Sequence, residues 1–143
     1  MIEEIPKEFW LGVEQFNQQE FYACHDTLES LWMEAIEPDK TFYQGVLQLA
    51  VALYHLSNHN WRGAVILLGE GINRLRHYQP SYSAIEVTPL LEQSHHLLIT
   101  LQQAGTEQVA AIAAQVVRSA PIELGLATAI VPLQIIKCSD REA

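Results

Sequence analysis

The chain has 143 residues, 49% of them apolar, and a net charge of −9, which suits one domain around one hydrophobic core. Residues 1–39 hold ten acidic side chains against Lys7 alone, while the remainder holds seven of each sign. With no basic stripe, nucleic-acid binding is disfavoured. The acidic first two helices are expected to solubilise the chain or to dock a basic protein partner.

Glu3, Glu4 and Glu8 near the start oppose the basic character of a secretory leader. The nearest approach to a membrane span, residues 122–136, falls short of the roughly 18 apolar residues required and is interrupted by Glu123 and Pro132. The expectation is a soluble cytoplasmic protein, with Cys24 and Cys138 as reduced thiols.

Helical periodicity dominates from Pro6 to Gln103. A first helix after Pro6 places Phe9, Trp10, Val13 and Phe16 on one face. A second spans about 20–36 with Phe21, Cys24, Leu28, Leu31, Trp32 and Ala35 inward, and stops before Pro38. The third, capped by Asp39 or Thr41 and reaching Asn58, is apolar on most sides and belongs in the centre. Asn60 caps a fourth, which buries Ala64, Val65, Leu68, Ile72 and Leu75 and runs toward the turn at Gln79-Pro80. A polar link leads to a fifth, Val87 to Gln103, ended by Gly105. Residues 106–117 form a short Ala-rich helix, and Pro121, Gly125 and Pro132 break the rest into an irregular apolar tail.

Shifted by forty positions, the sequence matches itself: Phe16 falls on Leu56, Phe21 on Trp61, Cys24 on Ala64, Leu28 on Leu68, Trp32 on Ile72 and Ala35 on Leu75. Helices one and two therefore form a hairpin that helices three and four repeat, loosely similar to tetratricopeptide-type hairpins. The fold class is all-α: a multihelical bundle of two consecutive helical hairpins plus a fifth helix and an irregular apolar C-terminal tail. Residues 1–104 form the bundle domain and 105–143 an extension that packs on the bundle or on a dimer mate.

Two polar lines could carry chemistry. Tyr22, His25, Glu29 and Trp32 recur every three or four residues along the second helix. Gln44, Gln48, His55 and Asn58, interrupted by Val51, are the only polar line on the third. If the two helices are antiparallel, residues whose numbers sum to about 76 stand level, so the lines meet and form a satisfied polar network inside the core. His25, Glu29 and His55, attended by Gln48, also offer two imidazoles and a carboxylate, a ligand set for zinc or iron. Zinc-protease, paired Glu-x-x-His, nucleophilic and phosphate-loop patterns are absent. His59, His77, His95 and His96 read as solvated or helix-end residues.

His25-Asp26 with Glu29 and Trp32, Gln44-Gly45 with Gln48, Ala50, Ala52 and His55, and Asn60 with Gly63-Ala64 and Gly71 resemble the signature of the domain-of-unknown-function family numbered 309. The resemblance covers residues 9–80. Asp26 departs from it, standing where a glutamate is more frequent. The resemblance implies a small multihelical protein in which the polar positions cluster, and it implies no activity or cofactor. The functional expectation is a non-enzymatic module that binds a protein or small ligand; the alternative is a hydrolase-like metal-dependent or acid/base enzyme using His25, Glu29 and His55.

Overall fold

The structure, a computed structural model, describes residues 4–117 and 131–138. Six helices follow in chain order: α1 (Lys7–Asn17), α2 (Phe21–Glu34), α3 (Asp39–Ser57), α4 (Trp61–Leu75), α5 (Val87–Ala104) and α6 (Val109–Val116). Short 3₁₀ turns occupy Arg76–Tyr78 and Thr106–Gln108, and three two-residue strands β1 (Ser81–Tyr82), β2 (Ile85–Glu86) and β3 (Ile136–Lys137) form a small antiparallel sheet. The protein is all-α in class. No helix among the described residues is long and apolar enough to cross a membrane.

The expected repeat is realised down to its hydrogen bonds. At the turn of the first hairpin, Gln18 N bonds Glu14 O, Gln19 N bonds Phe16 O and Glu20 N bonds Gln15 O; forty residues on, Asn58 N bonds Tyr54 O, His59 N bonds Leu56 O and Asn60 N bonds His55 O. Gln19 and His59 both take left-handed backbone, with φ of 65° and 60°. The equivalent core positions Phe16 and Leu56, Cys24 and Ala64, and Leu28 and Leu68 are all fully buried. Two hairpins with the same apolar spacing thus close in the same way.

Helix α3 is the hub. It buries ten residues, from Phe42 to Leu56, because α2 lies on one flank and α4 on the other. Small residues set how near α4 comes. A Cβ on Gly45 would lie 2.7 Å from Leu75 Cγ, and one on Gly71 would lie 2.8 Å from Leu49 Cδ2 and 3.0 Å from the Gly45 carbonyl oxygen. Ala50, Ala52 and Ala64 are buried as well. Phe9, Phe16 and Phe42 have no exposed surface, and such burial stabilises by roughly 1.5–3 kcal/mol per side chain.

Helix α5 packs on α4, and Trp61 Nε1 donates to the Leu101 carbonyl at 2.8 Å. The segment expected as a polar link is instead a β-hairpin, pairing Ser81 with Glu86 and Tyr82 with Ile85 around Ser83-Ala84, both at positive φ. That turn lacks the Asn-Gly or Asp-Gly signal that announces such hairpins. Helix α2 ends at Glu34 rather than near residue 36, because Ala35 is already extended. At the start of α3 neither Asp39 nor Thr41 caps; Glu37 does, accepting from the Thr41 amide at 2.9 Å and its hydroxyl at 2.7 Å.

The described part of the tail returns to its own bundle. Ile135 N donates to Asn17 Oδ1 at 2.7 Å and Asn17 Nδ2 donates to Ile135 O at 3.0 Å, while Leu133 and Ile135 join Ile112 and Val116 in the core. Strand β3 pairs with β2, so this stretch is not wholly irregular. The apolar residues 118–130 lie outside the described residues.

Candidate functional site

The level pairing expected of α2 and α3 is found: the rings of Tyr22 and Tyr54 meet at 5.6 Å between centroids. The outer stripe of α3 behaves differently from the expectation. Gln44, Gln48, Val51 and His55 are only half-buried, although the helix is buried on its other sides. The polar line therefore lies along the floor of a groove between α2 and α4 rather than inside the core. The reason is geometric. Two neighbours flank α3 and the remaining core covers its back, which leaves one strip facing out.

The α2 wall carries His25, Asp26 and Glu29, whose donor atoms all lie within 4.8 Å of one another. His25 Nδ1 stands 3.2 Å from Asp26 Oδ1, with side-chain exposures of 32% and 62%. Tyr22 packs its ring against His25 at 6.0 Å. Asp26 is thus the carboxylate that joins His25 and Glu29; the sequence marked it only as a departure from the more frequent glutamate, and its short side chain turns back to the imidazole.

Gln48 is held from the α4 wall. Its Nε2 donates to Glu70 Oε1 at 3.0 Å, and Arg74 Nη1 donates to its Oε1 at 3.3 Å. Glu70 and Arg74 escaped the sequence reading. Their signal was the i, i+4 spacing with opposite charge on a helix bordering the polar line. Gln44 lies half-buried on the same strip. Trp32 packs against the core under the Lys40 ammonium, 4.7 Å from the ring centroid, and its Nε1 is buried with no hydrogen-bond acceptor among the described residues.

His55 belongs to the α3–α4 junction. Its Nδ1 lies 3.2 Å from Asn60 Nδ2, and Asn60 Oδ1 accepts from the Gly63 amide at 3.0 Å, capping α4 as expected. The cap fixes which end of the Asn60 amide faces the imidazole. An NH₂ group there makes Nδ1 the acceptor and leaves the neutral ring's proton on Nε2. A metal on Nε2 would need the proton on Nδ1, where it would oppose the Asn60 donor. A side chain at residue 63 would obstruct the arrangement, since a Cβ there would sit 2.8 Å from His55 Cγ.

Chemically, the groove offers amide and imidazole groups along its floor, a one-nitrogen, two-carboxylate donor set on one wall and a carboxylate–guanidinium pair on the other. Cys24 takes no part: it is buried, its thiol donates to the Gly12 carbonyl at 3.3 Å, and burial pushes its pKa up to about 12. His59, His77, His95 and His96 are exposed.

Among known proteins, the chain is similar to YpuF, an uncharacterised protein of Bacillus subtilis (strain 168), at 34% identity over 103 residues. That match takes in 71% of this chain and 56% of the relative, so the chain spans little more than half of the relative's length. No solved structure matches. The family model of DUF309, a domain of unknown function, matches residues 9–67, which include most of α1, all of α2 and α3, both polar lines and the Asn60–Gly63 cap. Residues 9–67, which hold the first helical hairpin and both polar lines, are thus similar to the DUF309 domain.

Proposed function

We propose that the protein is a non-enzymatic binding module and that the groove between α2 and α4 holds an extended peptide segment of a partner. One observation carries this: the hub helix keeps Gln44, Gln48 and His55 half-exposed in line between two walls, although its other faces are buried. An extended chain presents an N–H and a C=O at every residue, and a row of amides can meet both. Tyr22, Tyr54 and Ile66, exposed at 61%, 36% and 47%, supply apolar contact at the margins. Selection of a phage-displayed peptide library against the protein tests the proposal. Selected peptides should lose about tenfold or more in affinity on Gln48→Ala or His55→Ala with the helical spectrum unchanged; equal binding to both variants, or no enrichment, would refute it.

A second reading is favoured by the 4.8 Å convergence of His25, Asp26 and Glu29. In place of the expected set with His55, these three would hold a divalent cation such as zinc. Calorimetric titration of untagged protein with Zn²⁺ tests this, and His25→Ala should weaken binding by about tenfold or more. Unchanged affinity in that variant would rule the site out.

A further inference from the structure

Two concavities meet where α1 and α3 begin and α2 ends. One of about 490 Å³ is lined by Glu8, Leu31, Glu34 and Ala35, the other of about 260 Å³ by Glu4 and Tyr82, and both share Pro6, Asp39 and Tyr43. Four carboxylates thus surround an apolar and aromatic floor, and among the described residues no lysine or arginine lines either concavity. Two lysines adjoin the lining in sequence: Lys7, exposed between Pro6 and Glu8, and Lys40, whose Nζ donates to the Trp32 carbonyl at 2.7 Å and lies over the indole. Tyr82 donates its hydroxyl to Asp39 Oδ1, which fixes that carboxylate between the two concavities. The Tyr82 ring is itself held against Phe42 at 4.7 Å and Tyr78 at 4.8 Å.

We infer that this cleft receives a lysine or arginine side chain from a basic segment of a partner protein. Leu31, Ala35 and Tyr43 would take the aliphatic stem, and Glu8, Glu34 and Asp39 the charge. Charge complementarity argues for this occupant over an apolar one. The whole excess negative charge of the chain resides in residues 1–39, and all four carboxylates of the cleft belong to that stretch, so its field draws a basic segment toward this side of the molecule. The inference stands apart from the groove: Glu34 follows His25 by nine residues on α2, two and a half turns, and so faces the opposite way.

The test uses the full chain, ¹⁵N-labelled, titrated with an acetylated, amidated Gly-Arg-Gly-Arg-Gly peptide, its lysine counterpart and its citrulline counterpart, the last being neutral but of nearly the same shape. The arginine or lysine peptide should shift the amide signals of Leu31, Ala35, Asp39 and Tyr43, and the citrulline peptide should not. Glu8→Gln together with Glu34→Gln, both at exposed positions, should weaken binding by roughly fivefold or more. Shifts spread evenly over the acidic surface, equal binding of the citrulline peptide, unchanged affinity in the double variant, or absence of binding by either cationic peptide would each overturn the inference.

Discussion

Glycines 69 and 71 sit two residues apart in one helix, so the pair isolates the effect of packing from that of helix propensity. At Gly69 an added methyl meets nothing within 4 Å, whereas at Gly71 it would lie 2.8 Å from Leu49 Cδ2 and 3.0 Å from the Gly45 carbonyl oxygen. Either alanine gains about 1 kcal/mol of helix propensity. Gly69→Ala should keep that gain. At Gly71 the leucine can rotate aside but the backbone carbonyl cannot, so α3 and α4 must separate by a few tenths of an ångström, and overpacking of this kind costs roughly 1–3 kcal/mol. The two variants should therefore differ by about 1–3 kcal/mol, or roughly 3–10 °C in Tm for a chain of this size. Thermal unfolding followed by circular dichroism, with urea unfolding as a check on two-state behaviour, measures the difference. A Gly71→Ala protein that melts at or above Gly69→Ala would refute the close approach of the two helices as the reason for glycine at this position.

Three further outcomes follow from the hydrogen-bond and burial patterns. Because burial pushes the Cys24 thiol up to about 12 from 9.0, the unfolded chain releases that proton first; this contribution to stability is complete below pH 9 and fades between 9 and 12. The native protein should accordingly leave Cys24 unmodified by a thiol reagent at about pH 8, while the unfolded protein reacts at both cysteines; fast native labelling of Cys24 would contradict its burial. The Glu37 carboxyl is held below its ordinary value by its bonds to the Thr41 hydroxyl and amide, so its support for α3 is present above pH 4.5 and lost as pH falls through the lowered value; Glu37→Gln should lower Tm at neutral pH and flatten this acid-side loss, and an unchanged profile would count against the cap. Asn60→Asp keeps an acceptor for the Gly63 amide but sets an oxygen against His55 Nδ1, so the ring proton should move to Nδ1, a change that ¹⁵N NMR of the imidazole reads directly; the same tautomer in both proteins would show that Asn60 does not orient His55.

The register of the helices and the forty-residue repeat were legible in the sequence because apolar spacing fixes which helix face turns inward. Cys24, Leu28, Ala64 and Leu68 are buried where that spacing places them, and Asn60 caps the helix it introduces. Other features depend on how near two elements come, which a one-dimensional pattern does not encode. Whether the polar line of α3 is enclosed or left as a groove floor depends on how far α2 and α4 wrap around it, and that distance is set by Gly45 against Leu75 and Gly71 against Leu49. The choice of Asp26 beside His25, of Asn60 as the partner of His55, and of Glu70 and Arg74 as the partners of Gln48 depends in the same way on side-chain reach across packed helices. Periodicity told which faces are polar; only the tertiary packing decided which of their atoms touch and which remain open to a partner, because hydrogen bonds form over a few ångströms while helical periodicity fixes direction alone.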